Sequence, residues 1–192
     1  IRPYQKPHMP IAVASVRSPA GPALAGKHGA AVLSMSVPRE TEARADMNFL
    51  WSVAEASAAE HGQTVRRDEW RLVLPVHLAE SRDEAINDLR MGAGHFTREY
   101  LSETLGRPME FDGPVEKILE HLIETGEWIV GTPDDCIATI QRLDERSGGF
   151  GGFLVGFTQD LAPRDKVLRS YELMARYVMP HFQDSLAGLH LS

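Results

Sequence analysis

The sequence predicts an α/β fold of parallel (βα) units, four strands with helical crossovers that make half of an eight-stranded TIM-like barrel. Short apolar runs alternate along the chain with stretches of helical period. Helix-start chemistry stands at Ser18-Pro19, at Ser81-x-x-Glu84 and at Thr132-Pro133. The length, 192 residues, is short of the roughly 250 that a whole barrel needs.

The first strand is expected over 11–15. Its helix starts at Pro19, with Ser18 as N-cap and Gly29 just past the end. A second strand follows over 31–36. A long helix is expected from Glu42 to His61, capped by Thr41 and stopped at Gly62, with Met47, Leu50, Trp51, Ala54 and Ala58 as its apolar stripe. The third strand spans 70–79 and is rich in Leu and Val. Residues 82–130 form a helical excursion within the single partial domain 1–192, too long to be a simple loop. There Ser81 and Glu84 open a helix to about Tyr100, and Gly106 to Gly113 break it. A second helix from Pro114 places Val115, Ile118, Leu119, Leu122 and Ile123 on one face. Thr132 and Pro133 then start a helix to about Arg146, the fourth strand covers 150–157, and the last helix runs from Pro163 to Tyr177, with Pro180 kinking or ending it. The four strands are expected side by side, in chain order, in one parallel sheet.

The composition narrows the function classes. With 43% hydrophobic and 24% charged residues the chain reads as a globular domain, and no apolar run approaches bilayer length. A net charge of −7 without any basic run argues against nucleic acid as a partner. Cys136 is the single cysteine, so no intrachain disulfide can form, which fits a cytoplasmic protein. The eight histidines show no metal-ligand spacing, and neither HExxH nor a nucleophile elbow occurs, so metal-dependent and acyl-transfer chemistry have no support.

The strongest local candidate is the turn Ser15-Val16-Arg17-Ser18-Pro19, between the carboxyl end of a strand and the start of a helix. Backbone N–H groups, the helix dipole, two hydroxyls and a guanidinium converge there, which suits a phosphate. The plainer reading leaves Ser18 as a helix cap and Arg17 in solvent. Gly131-Thr132-Pro133 is also a helix start, but Asp134 and Asp135 would repel a phosphate. Gly148, Gly149, Gly151 and Gly152 precede a strand, whereas phosphate loops follow one; they end a helix and let the backbone enter the strand closely packed. His77 shares a strand face with Val73 and Pro75. On an inward barrel face it would reach a substrate or flavin; otherwise it is a satisfied core histidine.

Two stretches carry a family resemblance. The opening IRPYQKPHMPIAVASVRSPAGPALAGKHG and the tail segments GTPDDCIATIQRL, SGGFGGFLVGF and SYELMARYVMPHFQ resemble the luciferase-like flavin-dependent monooxygenases, most closely the limonene-monooxygenase-like branch. In that family the opening stretch lies mid-chain, so the sequence resembles a carboxyl-terminal half, with strands five to eight of the barrel. The resemblance implies reduced FMN from a separate flavin reductase, dioxygen and a small organic substrate, with a deazaflavin-dependent oxidoreductase or a truncated, non-catalytic flavin-binding protein as alternatives. It also implies that Ser15, Val16, Arg17 and Ser18 contact the flavin phosphate, although Val16 and Arg17 stand where the family commonly has small residues. His77, Phe157 and Thr158 would border the substrate pocket; the histidine that limonene-type relatives often carry after the last strand is missing from Gly156-Phe157-Thr158-Gln159-Asp160. Catalytic residues belong to the other half. A half-barrel alone is expected to be inactive, and its open sheet edges favour a homo-oligomer.

Overall fold

A computed structural model describes residues 4, 6, 9–36, 47–156 and 158–183. The chain divides into two compact units, residues 1–74 with 143–155 and residues 75–142 with 156–192.

The first unit holds β1 (Ala12–Ser15), α1 (Ala20–His28), β2 (Ala31–Ser34), α2 (Met47–Glu60), a 3₁₀ turn (Arg67–Glu69) and the amino half of β3 (Arg71–Leu78). β1 and β2 pair in parallel from Ala12 opposite Ala31 to Ser15 opposite Ser34, and β2 meets β3 in parallel with Leu33 opposite Arg71. Gly29, in left-handed conformation at φ 60°, closes α1 by donating to Ala25 O and Gly26 O. The expected stripe of α2 is its buried face, Met47, Leu50, Trp51, Ala54 and Ala58. Gly26 lets α1 and α2 approach closely, because a Cβ there would stand 2.2 Å from Ala54 O. Thr41 and the expected helix start at Glu42 lie outside the described residues.

At the base of β3 an aromatic stack forms. Trp51 and Trp70 lie 5.0 Å apart at 20°, Trp70 Nε1 donates to Ser34 Oγ, and the Arg67 guanidinium sits over both rings. Arg67 Nη1 also donates to the Ser147 and Gly149 carbonyls, and Asn48 Nδ2 donates to Arg146 O, so cationic and amide donors cap the end of a helix. β5 (Gly152–Gly156) pairs with β3, with the Gly151 and Gly152 amides both donating to Trp70 O. The glycines do what their position before the strand suggests. Gly148 and Gly149 adopt φ 70° and 101° at the helix end, and a Cβ on Gly151 would fall 1.7 Å from Asp68 O.

The second unit holds the carboxyl half of β3, α3 (Arg82–His95), a π-helical continuation (Phe96–Thr104), a 3₁₀ turn (Val115–Lys117), α4 (Ile118–Glu124), β4 (Ile129–Gly131) and the start of α5 (Pro133–Ser147). α6 (Arg164–Leu173), a π-helical stretch (Met174–Val178) and α7 (Met179–Phe182) follow. Ser81 Oγ accepts from Glu84 N, as its capping pattern predicts. Thr132 and Asp135 cap α5 reciprocally: Asp135 N donates to Thr132 Oγ1, and Thr132 N donates to Asp135 Oδ2 at 2.9 Å. The core consists of Ala79, Ala85, Leu89, Ala93, Ile118, Leu119, Leu122, Trp128 and Val130, with Val115 and Ile123 packed against it.

Four details differ from the sequence reading. A fifth strand, β4, pairs in parallel with β3 (Val76 opposite Ile129); three residues between Gly126 and a helix start are too few to show alternation. The N-cap of α1 is Pro19 and not Ser18, although Ser18 Oγ still accepts from Ala20 N. The helix from Ser81 runs past Tyr100 to Thr104 by widening to π geometry. The last helical stretch runs past Tyr177 to Phe182: π turns over Met174–Val178 precede Pro180, which sits in the first turn of α7. A widened turn accommodates a ring that brings no amide hydrogen and crowds the carbonyl four residues back.

Candidate functional site

The turn after β1 is built by its own side chains. Ser15 is buried and its Oγ donates to Ser18 O at 3.3 Å, bracing the bend. Ser36 Oγ donates to Val16 O, so the exposed Val16 contributes its backbone and its side chain makes no part of the bend. Arg17 is half-buried and Ser18 exposed. Pro19 and Pro22 bring no amide hydrogen, so Ala20 and Gly21 supply the amides of the first helical turn, and Ser18 Oγ takes that of Ala20. Gly21 is a residue that reading the sequence missed. A Cβ there would stand 2.7 Å from Ser15 Cβ and 2.8 Å from its Oγ, so only glycine lets the helix start so close to the strand end. A glycine two residues after Ser-Pro was the available signal.

The second group lies in the other unit, at the carboxyl end of β3. His77 is wholly buried, with Nε2 3.2 Å from Asp88 Oδ2 on α3 and Nδ1 without a partner. Burial pushes the imidazole below its ordinary value, and the Asp88 carboxylate opposes that shift. Lys166 on α6 pairs with Glu84 and stands 3.7 Å from Asp88 Oδ1. Thr158 is buried, its Oγ1 donating to Val76 O at 3.0 Å, and Ser170 Oγ accepts from Leu78 N at 2.9 Å. Thr158 and His77 thus meet the same short length of β3. Phe157 lies outside the described residues. Asp88 and Lys166 were not legible as a cluster, since 78 positions separate them and α6 carries no motif.

Thr158→Val keeps the shape of the side chain but strands the Val76 carbonyl. A loss of about 1–3 kcal/mol in a denaturant titration is expected. An unchanged midpoint would show that another donor reaches that carbonyl.

Among the described residues no group of three or more His, Cys, Asp or Glu could hold a metal, and no helix is long and apolar enough to cross a membrane. Cys136 is buried, and burial pushes its thiol up to about 12, which keeps it protonated.

Comparison with known proteins gives this geometry its context. No family model matches the chain. Along 100% of the chain, in an alignment 193 positions long, it is 41% identical to the 4-hydroxyprotoasukamycin monooxygenase of Streptomyces nodosus subsp. asukaensis, covering 52% of that protein. It is 37% identical over 188 residues to the limonene 1,2-monooxygenase of Rhodococcus erythropolis, with 97% of the chain and 46% of the relative covered. The chain is thus similar along almost its whole length to part of two monooxygenases. It spans about half the length of the curated relatives it matches. Among solved structures, the oxygenating constituent of 3,6-diketocamphane monooxygenase from Pseudomonas putida, a type II Baeyer–Villiger monooxygenase in complex with FMN, superposes with a TM-score of 0.69 at 23% identity. That match covers 90% of the chain and 49% of the neighbour. Solved structures that share the fold also include two F420-dependent enzymes, each 18% identical to the chain, with TM-scores of 0.57 and 0.61. The fold is therefore that of about half of a TIM-like barrel, its parallel strands alternating with helices.

Proposed function

We propose that this chain is the flavin-phosphate half of a monooxygenase that oxygenates a small organic substrate with reduced FMN and dioxygen. The observation that carries the reading is the strand-to-helix turn at Ser15–Gly21, in a chain 41% identical along its whole length to a monooxygenase. The turn fits a phosphate: Gly21 keeps the helix start clear of any Cβ, and Ser15 braces the bend. Arg17 and Ser18 would hold the phosphate, with the Gly21 amide completing the set. Bound FMN, supplied reduced by a flavin reductase, provides the oxygen-activating chemistry. The protein's part is to anchor the cofactor and exclude water. Phe157 would border the substrate pocket and the helices of 82–130 would flank the active-site face, while His77 and Thr158, buried in this chain against α3 and β3, would lie behind the pocket's wall.

On this reading the 192 residues by themselves neither hold flavin tightly nor turn over substrate, because one wall of the pocket is supplied from elsewhere. Exposed Leu168, Tyr171, Tyr177, Met179 and Phe182 on the last helical stretch support association with a further segment or a second copy. A deazaflavin-dependent oxidoreductase is the second reading, favoured by the F420-dependent enzymes that share the fold.

The test joins this chain to a first-half segment of a relative's length and supplies FMN, NADH, a flavin reductase and labelled dioxygen with small cyclic alkenes and ketones. Incorporation of one labelled oxygen atom, dependent on FMN and the reductase, is expected. Hydride exchange between a deazaflavin and an alcohol, without oxygen incorporation, would favour the second reading instead.

A further inference from the structure

Among the described residues His77 is the one histidine with no exposed surface, and it leaves a ring nitrogen without a partner. From its Nε2 a chain of alternating charge runs outward, to Asp88 at 3.2 Å, from Asp88 Oδ1 to Lys166 Nζ at 3.7 Å, and from Lys166 to Glu84. Side-chain exposure rises along it from 0% at His77 through 12% at Asp88 to 36% at Lys166 and Glu84. Three elements of one unit meet there: the end of β3, the first turns of α3 and the first turn of α6. Asp88 and Glu84 face the ring from α3 and Lys166 from α6, while β4 brings only Ile129, Val130 and Gly131 opposite Val76–Leu78.

We infer that this chain of groups is a pH-sensitive clasp on the start of α3, closed while His77 is neutral and opened when it takes a proton. A neutral imidazole has a single N–H, and Asp88 accepts it from Nε2. Protonation adds a second N–H at Nδ1, a buried donor with no acceptor, together with a charge in a site closed to water. Asp88 and Glu84 favour the cation, whereas burial and Lys166 oppose it. Burial is the largest influence, and the balance lies below the ordinary value of 6.5. The ring therefore binds a proton more readily once it reaches solvent, and acid favours the open form. The closing contribution is complete above about pH 6.5 and is lost as pH falls through the lower value of the buried ring.

The experiment is amide hydrogen exchange over residues 82–95 of the intact chain, corrected for intrinsic rates, from pH 7.5 to 5 (approximate limits), alongside an NMR titration of the imidazole. Opening of α3 should grow by up to tenfold per pH unit below about 6.5, the limit set by one proton. His77→Gln, which cannot take a proton, should flatten the profile. Asp88→Asn should leave the onset near 6.5 and carry the rise on to lower pH, because the buried cation loses its counter-charge and the closed form takes its proton later. Exchange independent of pH, the same slope in His77→Gln, or an imidazole midpoint above 6.5 would each overturn the clasp. Should His77→Gln fail to fold, the NMR midpoint and Asp88→Asn still decide.

Discussion

Trp70→Ala is expected to cost about 3–5 kcal/mol of stability, the range for deleting a large buried aromatic. Trp70 is 1% exposed and supports three kinds of contact at once. Its ring stacks on Trp51, its Nε1 donates to Ser34 Oγ, and its face lies 5.8 Å from the Arg67 guanidinium carbon. Its carbonyl also receives the Gly151 and Gly152 amides where β5 enters, but alanine keeps that carbonyl, so the loss reports the side chain alone. Removing the indole opens a cavity beneath Trp51 and leaves Arg67 over one ring only. Equilibrium denaturation gives the magnitude, and the near-ultraviolet circular dichroism of the stacked indoles should collapse with it. A cost under about 1 kcal/mol would mean that the site closes over the gap and that the stack is incidental.

How far the sequence disclosed this arrangement depends on the length of each signal. α2 was legible to the residue within its described part, because five apolar positions at helical spacing leave one choice of face. The starts of α3 and α5 were legible because Ser81 has Glu84 three residues on and Thr132 is followed by Pro133; the reciprocal contact of Asp135 with Thr132 was not foreseen. β4 was not: Ile129–Gly131 has no period, and only its pairing with Val76–Leu78 makes it a strand. Nor was the π geometry at Phe96–Thr104 and Met174–Val178, which the pattern of apolar residues does not distinguish from an α-helix.

The site shows the same division. The Ser15–Ser18 turn was visible as a strand end followed by hydroxyls, a guanidinium and a proline. The need for Gly21 appears only when a Cβ is placed against Ser15. His77 was visible as a histidine among apolar strand residues, but its partner Asp88 and the Lys166 beside that carboxylate come from two helices whose approach no local pattern encodes. The stack of Trp51 on Trp70 under Arg67 was equally hidden, since α2 and β3 are brought together only by tertiary packing.

The second large effect concerns ligand affinity. Arg17→Ala combined with Ser18→Ala should weaken FMN binding by about 2–5 kcal/mol, since it removes one guanidinium and one hydroxyl from the proposed phosphate turn. The fold should tolerate both changes. Ser18 is exposed, Arg17 is half-buried, and the Ser15 brace reaches the Ser18 carbonyl, which alanine keeps. Losing the Ser18 Oγ contact to Ala20 N costs the helix about 1 kcal/mol, well below the expected effect on the ligand. Riboflavin provides an internal control, because it has the ring system without the phosphate. The decisive measurement is a flavin fluorescence titration of the completed barrel, parent against double variant, with FMN and with riboflavin. FMN affinity is expected to fall thirty-fold or more (about 2 kcal/mol) with riboflavin affinity unchanged; equal FMN affinities in the two proteins would contradict the phosphate turn and leave Ser18 only as the acceptor of the Ala20 amide.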